Sequence, residues 1–535
     1  MEQEYTTQKK STPKIIPFLV FGALIAGLAY WAFSGTDKAT TDATATTANT
    51  EQPQTTASSS DGIAPEVPIN YDEKAFNAGI CDWPEYITCV DFNNGLKDNP
   101  GSRFRKEFGL PVNFTVMNNF NQTRAALTSG AIDAVWGTID SFSGEAEGLA
   151  ADPTVAQTVI ATDCSEGADL IIVTSDIKSV ADLKGKTVAF AGLTPSNSFL
   201  LNTLQAAGLT IKDINPISTL TPAMAATVFK SGKADAVVLW KPEDAACLED
   251  VEGSRVLIST KTASNLIYNV FLVRKEYLDQ HEDRVVDFFT GWMKANAELK
   301  AGGRPARERL AKALVKYMKW PDEATAMADM DNGRFLTIGD NLNLFGMNKS
   351  FKGMKAKEIY SKFGAMYMAS GDITNEPPAW STVFDSRIID KVAERLKGDE
   401  HKAEGRKEFT PATSQTIEEP ALTHLSVTVN FATGNYKLDD KAKNIIKRQF
   451  GDAVKTNASA RIRIVGNTDN TGSEEANRKL SKRRAQAVAD YLEEEYDCDP
   501  NRFIVIGNGP KDAIANGVEG DNEEYRRTDF ELLED

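Results

Sequence analysis

GNTDNTGSEEANRKLSKRRAQAVADYL, residues 466–492, decides how the C-terminal part of this chain folds. A strand, ARIRIV (460–465), runs into a Thr-Asp turn, and the helix that follows carries Arg484 fifteen residues after Asp469. Leu480, Ala487, Val488 and Tyr491 recur at helical spacing and predict the apolar stripe of that helix. Arg484 falls inside the stripe, whereas Arg483 is turned about 100° away, toward solvent. An arginine on the apolar side needs an anionic partner, because an unpaired buried charge is costly. Asp469, at the strand end, can supply it. Spacing alone leaves two readings open, a structural ion pair or two halves of a ligand site.

The segment resembles the peptidoglycan-associating domain of the OmpA-like family, whose core reads T-D-x-x-G and then N-x-x-L-S-x-x-R-A-x-x-V. Thr468, Asp469, Gly472, Asn477, Leu480, Ser481, Arg484, Ala485 and Val488 stand in register with it. The resemblance spans residues 420–535 and takes in an opening strand VTVNFATGNYKL (427–438), a GNGP turn (507–510) and a late pair, Arg526 and Arg527. It implies an α+β domain that clasps a diamino acid of the peptidoglycan stem peptide. Asp469 would meet the stem ammonium and Arg484 would fork onto the stem carboxylate. Asn477, two helical turns before Arg484, Thr468 and Arg527 are carried into the same site. Tyr525 stands where the family has Asn ahead of its arginine pair.

The chain has 535 residues, enough for two or three domains, with 41% hydrophobic and 25% charged residues. A formal charge of −16 argues against a nucleic-acid partner and against adhesion to an anionic lipid surface. Residues 15–33, IIPFLVFGALIAGLAYWAF, are uncharged and long enough to span a bilayer. Lys9, Lys10 and Lys14 precede them, which predicts a cytoplasmic N-terminus (1–14) and an uncleaved single-pass anchor. A cleaved secretory signal, cut after Ala32-Phe33-Ser34, is the competing reading. No cysteine precedes Cys81, so a lipoprotein is not expected. Residues 34–65 are Thr/Ala/Ser-rich and read as a flexible linker; residues 396–421 read as a second one. Of five cysteines, Cys81 and Cys89 could pair across the loop after the first strand in an oxidising compartment, although connectivity is not readable from sequence. No Cys/His spacing points to a metal or another cofactor, and three scattered histidines give no catalytic motif.

Between the linkers, residues 66–395 alternate strand and helix. Apolar strands are predicted at 171–174, 187–191, 236–240 and 270–274, with helices at 196–208 and 223–233. Two phrases repeat: TRAALTSGAIDAVWGT (123–138) and MAATVFKSGKADAVVLWKP (224–242). Each runs from helix through a Ser-Gly turn to a buried strand that ends in Trp. Ligands of open α/β sheets bind at the carboxyl ends of strands, so Trp136 and Trp240 are expected to face one cleft, with Trp83 as a third aromatic.

This block is similar to the periplasmic solute-binding proteins of the nitrate, sulfonate and thiamine-precursor transporters, through ALTSGAIDAV (126–135), GADLIIV (167–173), SVADLKGKTVAF (179–190), FKSGKADAVVLWKP (229–242) and DNLNLFG (340–346). The similarity implies a type II bilobed fold with crossovers at 163–170 and 262–272. It puts Ser196, Asn197 and Ser198 at a helix start suited to a polar or anionic group, with Thr138 as a further donor. Glu243, beside Trp240, and Asp163 instead suit an amine or quaternary ammonium. The sign of the solute's charge stays open.

The expected protein is therefore α/β throughout its centre: an N-terminal transmembrane helix, a bilobed type II domain, then an OmpA-like domain at 422–535. Its expected role is non-enzymatic. Anchored in the bacterial inner membrane with its bulk in the periplasm, it would grip the peptidoglycan stem peptide. It would also bind a small solute for an ABC transporter permease or for sensing. The alternative is a wall-tethered scaffold whose solute-binding fold no longer takes a ligand. A proton-driven stator is disfavoured, because residues 15–33 hold no ionisable side chain.

Overall fold

Three sheets organise the chain. The computed structural model describes residues 72–150, 156–429, 431 and 434–534. The segments read as N-terminus, anchor and first linker lie outside the described residues. Among the described residues, no helix is long and apolar enough to cross a membrane.

The strands of the central block are β1 (Phe76–Ile80), β2 (Val112–Val116), β3 (Ala134–Thr138), β4 (Ala156–Ser165), β5 (Asp169–Val173), β6 (Thr187–Ala191), β7 (Asn215–Thr219), β8 (Ala236–Trp240), β9 (Arg255–Ser259), β10 (Tyr268–Arg274) and β11 (Gly333–Phe335). They form one sheet ordered β11-β4-β10-β3-β1-β2 and another ordered β7-β6-β8-β5-β9. β1 pairs in parallel with β2 and β3, and β6 with β7 and β8. β1, β3 and β5 are buried along their whole length, as strands covered on both faces are, and each carries one polar residue: Asn77, Thr138 and Asp169. β5, the first strand of the second lobe, lies antiparallel to β8; β10, returning to the first lobe, lies antiparallel between β3 and β4. The bilobed type II arrangement rests on this placing of the two crossover strands.

The two crossings run side by side. The Ser165 and Thr260 hydroxyls are 2.7 Å apart, and the Gly167 N–H donates to Thr260 Oγ1 at 2.9 Å. Beneath the first sheet runs the helix Glu282–Ala313, whose path breaks at Gly303 (φ 54°) just before Pro305. Phe288, Phe289 and Trp292 on this helix pack against Phe271 of β10, with the Trp292 ring 4.8 Å from it.

The third sheet, β12 (Thr423–Val427), β13 (Arg461–Asn467), β14 (Phe503–Gly509) and β15 (Thr528–Leu533), has the order β12-β15-β13-β14. Its opening strand ends at Val427, where the sequence places the beginning. Of the GNGP stretch, Gly507–Gly509 end β14, with Asn508 bulged out between paired residues, and only Pro510 lies in the turn that follows. The helix Glu474–Tyr496 lies across β13 and β14. Its buried face is Ser481, Arg484, Ala485, Val488, Ala489 and Leu492. Leu480, Ala487 and Tyr491, expected in the stripe, are only half-buried. The cause is close approach: a β-carbon at Gly466 would overlap the Ser481 carbonyl, and one at Gly507 would lie 2.6 Å from the Arg478 carbonyl oxygen. The helix therefore seats along its small residues, not along Leu480.

Residues 396–421, read as a linker, are packed. His401 and Phe409 are buried. Thr337 Oγ1 donates to the Lys402 carbonyl at 3.0 Å, the Glu404 N–H to Asp340 at 2.9 Å, and the Phe409 N–H to Asp499 at 3.2 Å. The C-terminal domain also touches the central block directly. Asn265 N–H donates to the Thr456 carbonyl, Val180 N–H to the Leu422 carbonyl, and the Ser264 and Ser459 hydroxyls meet at 2.7 Å. The Cys81–Cys89 pairing does not form: all five cysteines are free and buried, and Cys89 donates to the Tyr86 carbonyl from within its helix.

Candidate functional site

The carboxyl ends of β1, β3 and β8 and the two crossovers converge on one cavity of about 40 Å³. Trp83, Trp136, Thr138 and Trp240 line it, Trp136 and Trp240 coming from the two repeated strand-Trp phrases. The indole N–H of Trp83 donates to Asp163 Oδ1 at 3.1 Å, and that of Trp136 to the Met117 carbonyl at 2.8 Å. Phe120 meets Trp136 edge-on, with ring centres 4.5 Å apart. Asp163 is a positioning residue. It is fully buried and also accepts from Asn269 Nδ2 at 2.5 Å and Thr162 Oγ1 at 2.8 Å, so it fixes two side chains of the cavity wall.

Several lining residues escape the sequence reading: Asp82, Asn118, Phe120, Asp169 and Asn269. Asp82 adjoins Trp83 in the C-D-W triplet, the one sequence signal that could have marked it. Asp169 pairs directly across from Trp240 in the β5–β8 ladder. Burial pushes the Asp163 and Asp169 carboxyls up to about 7, and Asp140 adds to the effect on Asp169 while the Ser165 hydroxyl opposes it. Asp140 itself is raised to about 6 by burial.

Ser196, Asn197 and Ser198 are fully buried but do not line the cavity; Pro195, the first residue of their helix, does. Ser198 Oγ meets Tyr367 OH at 2.5 Å, and Asn197 Nδ2 donates to Asp372 at 3.0 Å. These side chains turn toward the helix Ala356–Ser370 and the loop beyond it. Glu243 opens the helix Glu243–Asp250 and does not line the cavity, and its Oε2 has no hydrogen-bond partner among the described residues. Burial raises its carboxyl to about 7, with Asp82 and Asp244 adding to the shift. A larger cavity, about 680 Å³, lies under the 396–421 strap, but its charges answer one another, as Lys300 does Glu404 at 2.7 Å.

The second cluster lies at the end of β13. Asp469, 7% exposed, accepts from the Thr471 N–H at 3.2 Å and from Arg526 Nη1 at 2.6 Å. Burial opposes ionisation of Asp469, yet the Arg526 guanidinium and the Thr471 N–H hold its carboxyl below the usual range. Asn477 Nδ2 donates to the Thr471 carbonyl at 2.9 Å, and Thr468 is buried beside Asp469 with its hydroxyl lacking a partner among the described residues. Asp469 and Arg484 form no ion pair with each other, so the first of the two sequence readings does not hold. Arg484 Nε donates to the Asn435 carbonyl at 3.0 Å, and its guanidinium lies over the Phe431 ring at 4.9 Å. Its terminal nitrogens make no hydrogen bond to the described residues, while burial and the nearby Arg526 charge lower its proton affinity. Arg527 is outside the cluster, paired with Asp512 at 2.7 Å and Asp529 at 3.0 Å. Arg526 stands at Asp469 instead.

Residues 158–301 match the NMT1/THI5 like family, and residues 430–527 match the OmpA family. The "Putative aliphatic sulfonates-binding protein" of Escherichia coli (strain K12) is 35% identical over 152 residues, 28% of this chain and 46% of that protein. Outer membrane protein A of Bordetella avium is 34% identical over 128 residues, 23% of this chain and 65% of that protein. The chain thus spans less than two thirds of either relative. The solved structure of the alkanesulfonate-binding protein SsuA from Xanthomonas axonopodis pv. citri bound to MOPS is 17% identical, with a TM-score of 0.45, covering 59% of this chain and 99% of that one.

Proposed function

We propose that this chain, a solute-binding domain of the NMT1/THI5-like type joined to a C-terminal OmpA domain, captures a small molecule in its interlobe cleft while holding peptidoglycan. Both are binding domains, and the reading is of an envelope protein that binds rather than catalyses. The observation that carries it is the position of the cavity: the ends of strands from both lobes meet there with both crossovers, so a ligand would touch every part that a lobe closure moves. The proposed division gives solute capture to residues 66–395 and wall binding to 422–535, with residues 15–33 as a single-pass inner-membrane anchor. The captured solute would pass to an ABC-type permease or report its own concentration.

At the wall site, Asp469 and Arg484 are proposed to hold the two charged ends of a stem diamino acid. Arg484 supports this with terminal nitrogens that make no hydrogen bond to the described residues, and Asp469 with a carboxylate kept ionised. Thr468 and Asn477 shape the turn between them. The test is native mass spectrometry of the full chain purified without denaturation, together with sedimentation on purified sacculi. A co-purified small mass and co-sedimentation are expected. A chain that sediments but carries no solute and is stabilised by none would instead be a wall-tethered scaffold.

A further inference from the structure

The cleft's wall carries a chemical preference of its own. Trp83 and Trp136 spend their ring N–H groups on Asp163 and the Met117 carbonyl, so what they offer the cavity is aromatic face and edge. Asp82 contributes a carboxylate from the first lobe and Asp169 one from the second, and no Lys or Arg is among the lining residues. The basic side chains on adjoining segments are already engaged: Arg124 with Glu145 at 2.6 Å and Lys241 with Asp244 at 3.0 Å. Pro195, at the start of the cavity's only lining helix among the described residues of the second lobe, has no N–H with which to greet an anion.

We propose that the cleft selects an organic cation, the ammonium group of a small amine or quaternary ammonium compound, seated among Trp83, Trp136 and Trp240 and neutralised by Asp82 and Asp169. This rests on the reading of the cavity as the solute site. Asp169 is 2% exposed and forms no ion pair among the described residues, a costly state for a carboxylate that a bound cation would relieve. A sulfonate or nitrate in the same place would meet two carboxylates and no compensating cation. Aromatic faces favour an alkylated ammonium, whose positive charge they attract directly. A metal ion is a poorer fit, since no group of three or more His, Cys, Asp or Glu among the described residues is arranged to hold one. Size agrees as well. About 40 Å³ is room for roughly three water-sized groups, which suits a compact head group.

The experiment is isothermal titration calorimetry of the full chain with trimethylammonium and ethylammonium chloride, set against sodium methanesulfonate and sodium nitrate. An ammonium probe is expected to bind and the two anions are not. Asp169→Asn, which keeps the side chain's shape, should weaken the ammonium probe at least tenfold, as should Trp240→Leu at the half-buried ring. Tighter binding of methanesulfonate or nitrate would overturn the cation preference and leave solute binding standing. So would a neutral solute found by native mass spectrometry when neither probe class binds. Silence from every probe together with no co-purified mass would remove both the preference and the solute-binding reading beneath it.

Discussion

Titrating the full chain with an ammonium probe at about pH 8 and again at about pH 6 should reveal a steep loss of affinity on acidification, because a cation can pair only with ionised carboxylates. Asp169 is the group that matters most. Burial raises its carboxyl to about 7, with the nearby acid Asp140 adding to the shift and the Ser165 hydroxyl opposing it. Such a carboxyl in the empty cleft is about nine-tenths ionised near pH 8 and about one-tenth near pH 6, so one group accounts for about a tenfold drop. Glu243, raised to about 7 with Asp82 and Asp244 as its acidic neighbours, can extend that toward a hundredfold if a longer ligand reaches it. Calorimetry in two buffers of different ionisation heat would count the protons released on binding, expected near one for Asp169 alone at about pH 6. Asp169→Asn should flatten the profile. A flat profile in the unaltered chain, or tighter binding at the lower pH, would refute the assignment of Asp169 to the cation.

The same shifts act on the empty protein. Asp140 at about 6 and Asp163, Asp169 and Glu243 at about 7 bind more protons folded than unfolded. Stability of the central block, followed by scanning calorimetry, should therefore be greatest below about pH 4 as far as these groups are concerned and decline as pH rises toward about 7. Asp469→Ala or Arg484→Ala should abolish sedimentation with sacculi while the domain's circular dichroism is retained. Arg527→Ala, which removes the ion pairs to Asp512 and Asp529, should lower the domain's melting temperature yet leave wall binding at low temperature. Gly466→Ala should cost the wall-type domain about 1–3 kcal/mol, because β13 and its helix would have to part; an unchanged melting temperature would contradict the close approach.

Strands β5, β6, β8 and β10 were legible because buried strands are uninterrupted apolar runs, and the repeated strand-Trp phrase located the cavity because equivalent positions in two lobes face each other. The carboxylates of that cavity were not. Asp82 and Asp169 sit at strand ends, where an acidic residue reads as ordinary punctuation, and only the pairing of β5 with β8 puts Asp169 opposite Trp240. Ser196–Ser198 had the right local signal, a helix start, but their partners Tyr367 and Asp372 lie some 170 residues on and are invisible to local reading. At the wall site a single-residue choice decided the outcome: of two adjacent arginines approaching β15, Arg526 turns to Asp469 and Arg527 to the opposite side. Sequence spacing cannot separate neighbours that point to opposite faces.

The packed strap has a mechanical meaning. Between the last helix of the central block and β12, residues 396–421 are stitched to Thr337 and Asp340 on one side and to Asp497 and Asp499 on the other. Backbone bonds from Asn265 and Val180 add two rivets between the domains, one of them in the returning crossover. A slack tether would let the cleft wander by tens of ångströms from its wall contact. If the OmpA domain holds peptidoglycan and the cleft takes a solute as proposed, a riveted one acts as a gauge that sets a single stand-off between the two. Pull on the wall domain would then load the crossover in shear, so tension in the envelope and the opening of the two lobes would share one load path.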